Sequence, residues 1–325
     1  MQVVKAGYEI VKIADPTDKI ERVARICYKS EDKIKEGSAK KMVRALIKSN
    51  HTAMIEHSSL VVAFMEEEYK QLKSIVAWLA ENEGYTSFLR FTSIESYLVS
   101  GNLRAWREFI ILATEKGFNF SRGLVNILRS RKYEVYFEDI LLMPYDGEIS
   151  PVEVDPNTLG KEERLIHTDI TVVFTVDRGV SHEIVRHRVA SFAQESTRYC
   201  NYGSKAGEIT VIEPCYLKVD GVDLTVDNWS ERYGAWVSAC EEAEKSYLRM
   251  LADGATPQEA RAVLPTSLKT EVAMTTNLKG WRHFFNLRAV GVTGKPHPQM
   301  VEVAIPLLHD MQREVPKIFE DLVAE

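Results

Sequence analysis

The sequence of 325 residues has few cysteines and no long hydrophobic run. Its four cysteines, Cys27, Cys200, Cys215 and Cys240, form no CxxC pair and share no metal-ligand spacing with the eight histidines. No segment approaches the roughly 20 consecutive apolar residues that a membrane-spanning helix needs. We therefore expect reduced thiols, no bound metal and no association with a membrane.

An excess of positive charge is also lacking, because 41 Lys and Arg oppose 47 Asp and Glu and leave a net charge of -6. Such a balance provides no overall field that attracts nucleic acid, so any anion site must be local. The first residues contain neither the apolar core nor the cleavage site of a signal peptide, and we expect a cytoplasmic protein. The sequence also lacks repeats, low-complexity tracts and flexible linkers, which favours a single domain.

The apolar pattern that is present predicts an α+β chain in which helices exceed strands. Predicted strands cover 2–13, 58–65 and 169–176, and predicted helices cover 15–28, 38–50, 228–254 and 256–265, with a last helix from about Pro298. Thr256, Pro257 and Glu259 form a capping box at the start of helix 256–265. Residues 65 to about 165 are predicted to be mostly helical, apart from an acidic, proline-containing loop over 143–163.

Positive charge is nevertheless concentrated in one stretch, HEIVRHRVASFAQESTRYCNY over 182–202, directly after the strand at 169–176. If the chain continues as a helix through this stretch, Glu183, Arg186 and His187 share one turn, while Arg188 points to another side. Such a helix end can hold two anions. The alternative is a solvated basic helix face followed by a polar loop, but arginines anchored beside an apolar strand need anionic partners.

The segment after the arginines is rich in hydroxyl and amide groups and alternates too poorly to predict a strand. It suits a loop wrapped around a ligand. In such a loop, Ser196, Thr197 and Arg198 would donate hydrogen bonds to phosphate oxygens.

These residues resemble the signature of the flavin-dependent thymidylate synthases, the ThyX family, in which R-H-R is followed by seven residues and a serine. Arg186, His187, Arg188 and Ser196 match that signature without a gap. Two further segments resemble the family in the same order along the chain: NHTAMIEH over 50–57, and ARAVLP with TTNLKGWRHFFNLR between 260 and 288. The resemblance covers roughly residues 1–64 and 169–315.

The resemblance implies a ThyX-like α+β fold, with an antiparallel sheet core flanked by helices, in one catalytic domain over 1–325 with a helical insertion at about 65–165. It implies reductive methylation of dUMP to dTMP with FAD as redox cofactor, methylene-tetrahydrofolate as carbon donor and NADPH as reductant. The implied enzyme is a methyltransferase and flavoprotein of nucleotide biosynthesis. It would form a homotetramer whose active sites lie between subunits.

Carried over residue by residue, the resemblance implies a set of residues for each ligand and no metal site, with Arg288 as the catalytic group. The implied dUMP-binding residues are Glu183, Arg186, Gln194, Glu195, Ser196, Thr197, Arg198, Arg261 and Arg288, of which Arg261 would come from another subunit. The implied FAD-binding residues are His51, Ala53, Glu56, Arg186, His187, Arg188, Gln194, Asn277, Leu278, Lys279 and His283.

The chemistry agrees with this assignment, because uracil C5 is a weak nucleophile that a fixed guanidinium activates by drawing charge toward N3 and O4. Since folate supplies the carbon and flavin the hydride, no essential cysteine is expected. Cys215 follows a proline, superficially like the nucleophile of the classical thymidylate synthases, but nothing else around it matches. Cys27, Ala53, Lys279 and Glu183 depart from residues that are frequent in the family, mostly on the flavin side.

Two other functions are compatible with the same arginines. A non-catalytic protein could use Arg186, Arg188 and Arg198 to bind a nucleotide or nucleic acid, but the acidic balance and the lack of interleaved basic and aromatic residues count against it. A scaffold that has kept the fold and lost catalysis is the second alternative. The presence of Ser196 and Arg288 counts against that one.

Overall fold

Two four-stranded antiparallel sheets organise the chain in a computed structural model, which describes residues 1–145, 151–205, 207–217 and 231–324. The strands are β1 Gln2–Val4, β2 Gly7–Ile10, β3 Ser59–Phe64, β4 Arg90–Ser93, β5 Tyr97–Asn102, β6 Phe120–Ser121, β7 Pro144–Tyr145, β8 Val152–Glu153, β9 Asp169–Asp177, β10 Ser191–Gln194, β11 Thr210–Ile212 and β12 Lys269–Asn277. The α-helices are α1 Pro16–Ile26, α2 Ser38–Lys48, α3 Glu66–Glu83, α4 Leu103–Glu115, α5 Arg122–Leu128, α6 Glu134–Phe137, α7 Lys161–His167, α8 Arg178–Ile184, α9 Tyr202–Lys205, α10 Glu231–Ala252, α11 Pro257–Ala260, α12 Leu278–Phe285 and α13 Pro298–Glu314. The predicted α+β class is confirmed.

The first sheet has the order β10-β12-β9-β2, and all of its pairings are antiparallel. Its central strands β9 and β12 are nine residues long and pair along their whole length. Apolar side chains from β9 and β12 pack against α12 and α13, with Phe174, Trp281 and Leu307 fully buried in this core. The sequence predicts β9, but it does not predict β12, the strand that leads into α12.

The second sheet has the order β4-β5-β3-β8, and three of its strands come from residues 65–165. The prediction of a mostly helical segment is therefore wrong in part, although its two long helices, α3 and α4, are present. Strands form here because β3, apolar and buried, needs a hydrogen-bonding partner on each side, and β5 and β8 provide them. Within the predicted loop at 143–163, residues 146–150 lie outside the described range, and the flanking residues contain β7, β8 and the start of α7.

The N-terminal helices follow their local signals. Asp15 caps α1 by accepting from the backbone N–H groups of Thr17 and Asp18, and Pro16 occupies the first helical position. The strand predicted over 2–13 divides in two, because β1 pairs in parallel with β11 whereas β2 joins the edge of the first sheet. The first three residues of the helix predicted over 228–254 lie outside the described range, and α10 covers most of the remainder.

Buried polar contacts tie the second sheet to β9. Arg90 of β4 forms two hydrogen bonds with the carboxylate of Asp169, at 2.7 and 2.6 Å. The buried ring of His167 contacts Thr92 Oγ1 through Nε2 and Ser100 Oγ through Nδ1, each at 2.7 Å. Breaking such buried pairs leaves unsatisfied polar groups, so the second sheet is held in a fixed position against the first.

Two further expectations concern the cysteines and the membrane. All four cysteines are thiols rather than disulfides. Among the described residues, every helix is too short or too polar to cross a lipid bilayer.

Candidate functional site

The arginine-rich motif lies in a tight turn between α8 and β10. Asp177 caps α8 through a 2.7 Å hydrogen bond from the backbone N–H of Val180, and the helix ends at Ile184. A helix that continues to Arg188, the condition considered for the sequence, is therefore not formed. The chain turns because Val189 adopts a φ of 60°, a left-handed conformation that is strained for a β-branched residue.

Val189 is exposed over 88% of its surface, so burial of its side chain does not account for the strain. Its carbonyl oxygen accepts a 2.9 Å hydrogen bond from Thr276 Oγ1 at the end of β12. Gly280 leaves room for this bond, since a Cβ at that position would lie only 2.2 Å from Thr276 Oγ1. The strained turn is thus held in place from the C-terminal part of the sheet.

The first residues after this turn form strand β10 rather than the predicted loop. Ser191 to Gln194 pair with β12 in register, so that Ala193 lies opposite Ala273. Both alanines are buried against Val23 and Ile26 of α1, where small side chains allow the helix to approach the sheet. The polar loop begins at Glu195.

Three predicted residues meet in a cluster that we call the guanidinium cluster: Glu183, His187 and Arg288. Arg288 donates from Nη1 to Glu183 Oε2 at 2.6 Å and from Nε to His187 Nε2 at 3.1 Å. It lies on a π-helical turn, Asn286–Val290, a local irregularity that is frequent at functional sites. The carboxylate and the imidazole together fix the plane of the guanidinium.

His187 is neutral in this arrangement. Burial, followed by the charges of Arg288 and His283, lowers its pKa to about 4. Because Nε2 accepts from Arg288, the single ring proton is on Nδ1, and this buried N–H has no hydrogen-bond partner within the described part of the chain. An unsatisfied buried donor of this kind is costly unless a ligand supplies the acceptor.

The other two residues of the motif present unpaired positive charge. Arg186 and Arg188 are exposed, and no described side chain forms an ion pair with either. Lys279 and His283 of α12 are exposed as well, and the ring of His283 lies 5.9 Å from that of His187. This surface suits a phosphate-bearing ligand, because arginine binds phosphate in bidentate geometry.

Gln194, the last residue of β10, and Glu195, the first residue of the loop, contact different parts of the chain. Gln194 donates to Ser181 Oγ of α8 at 2.9 Å. Glu195 is 1% exposed and its carboxylate is fully engaged inside the protein. It accepts from Tyr202 Oη at 2.6 Å and forms ion pairs with Lys29 and Lys269 at 3.1 and 3.5 Å.

The remaining residues of the loop are more accessible. Thr197 Oγ1 accepts a 3.4 Å contact from Arg261 Nη1, and Ser196 Oγ accepts from the backbone N–H of Arg198 at 3.3 Å. Arg198 and Arg261 are both exposed. Within this chain Arg261 reaches the loop, and the Arg261 that the resemblance assigns to the nucleotide would come from another subunit.

Within the segment NHTAMIEH over 50–57, residues Thr52–His57 form a 3-10 turn beside β10. Glu56 accepts from Ser191 Oγ and from Arg104 Nη1, each at 2.7 Å, while His51 and Ala53 are exposed. The predicted residue Glu56 therefore lies between strand β10 and helix α4.

Two predicted cofactor residues have other contacts. The side chain of Asn277 caps α12 by accepting from the backbone N–H of Gly280 at 2.8 Å, and it donates to Ile166 O at 3.1 Å. Leu278 is 0% exposed and belongs to the core of the first sheet.

A cleft of about 570 Å³ lies between the two sheets, within the size range of small-molecule sites. One wall is formed by Glu56, Val189, Ser191 and residues 275–277. Residues 87–90 and part of 102–108 form the other wall. Sequence reasoning missed this second wall, because its residues match no motif and converge only through the pairing of β4, β5 and β3.

A comparison with known families matches residues 158–317 to the family described as thymidylate synthase complementing protein, Thy1. A flavin-dependent thymidylate synthase of Pyrococcus abyssi is 32% identical over 136 residues, which is 41% of this chain and 52% of that protein. One from Pyrococcus horikoshii is 29% identical over 181 residues, which is 53% of this chain and 70% of that protein. A solved structure, the UMP/dUMP methylase PolB of Streptomyces cacaoi bound with 5-Br dUMP, is 16% identical with a TM-score of 0.42 and covers 98% of this chain and 96% of its own.

The match to the first relatives is partial, since the chain spans 52%, 61% and 65% of the lengths of the proteins from P. abyssi, Pyrococcus furiosus and Geobacter sulfurreducens. All three carry the same description, flavin-dependent thymidylate synthase. The matched residues include the turn, the guanidinium cluster and the strands that hold them. The chain is thus similar, over about half of its length, to the ThyX family of flavin-dependent thymidylate synthases.

Proposed function

We propose that the chain catalyses the reductive methylation of dUMP to dTMP, with FAD as cofactor, methylene-tetrahydrofolate as carbon donor and NADPH as reductant. The observation that carries this proposal is the guanidinium cluster next to unpaired Arg186 and Arg188. The cluster offers an oriented cation, and the two arginines offer sites for anions. A reaction that joins a nucleotide and a dinucleotide cofactor needs both.

The phosphate of dUMP is assigned to the loop after β10. Ser196, Thr197 and Arg198 are accessible there, and Arg261 adds a second guanidinium. Glu195, enclosed by Lys29 and Lys269, anchors the loop from inside and is assigned a positioning role rather than contact with the nucleotide.

The residues around the turn fit FAD. Arg186 and Arg188 would hold its pyrophosphate, and the unpartnered Nδ1–H of His187 would donate to an acceptor of the bound cofactor. Asn277 and Leu278 would contribute through backbone groups, because the amide of one caps a helix and the side chain of the other is in the core. FAD, when bound, supplies the hydride for reduction of the transferred carbon.

Arg288 would act on the uracil ring. Glu183 and His187 hold its guanidinium before substrate arrives, so no reorientation is needed when negative charge develops on the pyrimidine. Because His187 is neutral, it orients this cation without placing a second charge beside it. We further propose a cytoplasmic homotetramer formed from one catalytic domain per chain.

The purified protein is expected to be yellow or to become yellow on loading with FAD, because the unpaired arginines and the cleft form a site of suitable charge and size. NADPH is expected to bleach the flavin absorbance, faster when dUMP is present, and addition of methylene-tetrahydrofolate is expected to yield dTMP. The measurements are flavin absorbance and chromatography of the nucleotides. A colourless protein that cannot be loaded with FAD would overturn the proposal.

Replacing Cys215 with Ala is expected to leave dTMP formation unchanged. Cys215 lies in a short 3-10 helix, outside both the turn at Val189 and the guanidinium cluster. Activity should be compared with the wild type at equal folded content, as measured by circular dichroism. Loss of methylation in a folded Cys215→Ala protein would favour a cysteine-dependent mechanism.

A further inference from the structure

Residues 65–165 form one wall of the cleft next to the motif. This wall contains Phe88, in the loop between α3 and β4, and Arg104, in the first turn of α4. Phe88 is 63% exposed, which is unusual for a phenylalanine. Across the same cleft lies Val189, the exposed and strained residue of the turn.

The net charge of the cleft lining differs from that of the exposed turn beside it. Three carboxylates, of Glu56, Glu108 and Asp169, and two guanidiniums, of Arg90 and Arg104, line the cavity, which leaves one net negative charge. Both guanidiniums are already paired, Arg90 with Asp169 and Arg104 with Glu56 and Glu108. The cleft therefore disfavours phosphate, whereas the unpaired Arg186 and Arg188 lie on the exposed turn.

A neutral planar ring with several hydrogen-bonding atoms matches this lining. Apolar Phe88 and Val189 offer surfaces for the faces of such a ring, and Ser191 Oγ, which donates its proton to Glu56, can still accept a hydrogen bond from its edge. The strain at Val189 has a use in this arrangement, because the left-handed turn keeps its isopropyl group at the cleft instead of in the core.

Glu56 links this wall to strand β10 by hydrogen bonds. The Glu56 carboxylate accepts from Ser191 of β10 with one oxygen and from Arg104 of α4 with the other. Because Arg90 also ties the wall to Asp169 at the start of β9, the spacing between Phe88 and the turn is fixed before a ligand binds.

We propose that residues 65–165 complete a binding site for a planar nitrogen heterocycle, in which Phe88 stacks on the ring and Arg104 positions Glu56. This inference rests on the proposed function and deepens it. Two ligands of that reaction carry such a ring: FAD has an isoalloxazine and the folate has a pterin.

The test compares Phe88→Ala with wild type in titrations of FAD, and of 5-formyltetrahydrofolate added to protein saturated with FAD and dUMP. Loss of a stacking partner is expected to weaken binding of one of the two ligands about tenfold. Phe88→Tyr is expected to restore it, because the aromatic face is kept. Leu141→Ala is the matched control, since Leu141 is also in this segment, is 73% exposed and does not line the cleft.

A weaker affinity for FAD places the isoalloxazine in the cleft, and a weaker affinity for the folate alone places the pterin there. If wild type and Phe88→Ala bind both ligands equally well, the inference is wrong and the proposed function stands. If the wild type binds neither ligand, the proposed function falls, and this inference falls with it.

Discussion

Arg288→Ala is expected to bind FAD like the wild type and to lose at least about 100-fold in kcat/KM for dTMP formation. The substitution removes the cation that Glu183 and His187 orient, so negative charge that develops on the pyrimidine loses its fixed partner. Steady-state assays of dTMP and a fluorescence titration of FAD measure the two effects separately. Retained dTMP formation would refute the role assigned to Arg288.

Two further variants separate charge, geometry and folding in this experiment. Arg288→Lys keeps the positive charge but not the planar fork, and we expect activity between those of wild type and Arg288→Ala. Arg282→Ala is the matched control, because Arg282 is close to Arg288 in the sequence but pairs with Asp321. An equal loss of activity in Arg282→Ala would indicate general damage to this part of the fold.

The stability of the protein is expected to fall by several kcal/mol between pH 7 and pH 5. Burial is the first cause that lowers the pKa of His57 to about 3 and those of His167 and His187 to about 4. In the unfolded chain these rings titrate near pH 6.5, so below that pH the unfolded state binds more protons than the native state. The stabilisation that the neutral rings provide above pH 6.5 is lost as the pH falls toward 4. At pH 5 this loss is about 2 kcal/mol in the free energy of unfolding for each histidine.

Urea unfolding followed by circular dichroism at pH 7, 6 and 5 measures this effect above the range in which most carboxylates titrate. His167→Gln is expected to be less stable than wild type at pH 7, where its bonds to Thr92 and Ser100 are lost, and less sensitive to pH. His309→Gln, at an exposed position, is expected to keep the dependence of the wild type. Equal free energies of unfolding at pH 7 and pH 5 would contradict the assignment of three neutral buried rings.

Local sequence signals predict those elements whose cause is local. The cap at Asp15 and the apolar run of β9 give α1 and the central strand close to their observed bounds. The structure also brings Glu183, His187 and Arg288 together across about a hundred residues of chain, which the sequence indicates only through the family resemblance.

Other features depend on contacts between distant residues and were not predictable from local pattern. β10 is four residues long, and it forms because β12, some 80 residues later, provides hydrogen bonds. The turn between α8 and β10 contains the strained Val189, which is held by Thr276. The second wall of the cleft requires Phe88 and Arg104 to be brought together by a sheet whose partner strand β3 precedes them.

Residues 65–165 belong to the same folding unit as the residues that precede them. Ile20 and Ala24 of α1 and Leu60 and Val62 of β3 share one hydrophobic core with side chains from this segment. A chain with the segment removed would expose that core and leave β3 without partners on either side, a condition that promotes aggregation. The smallest autonomous folding unit of this protein therefore includes residues 65–165, and a shortened form of the chain should retain them.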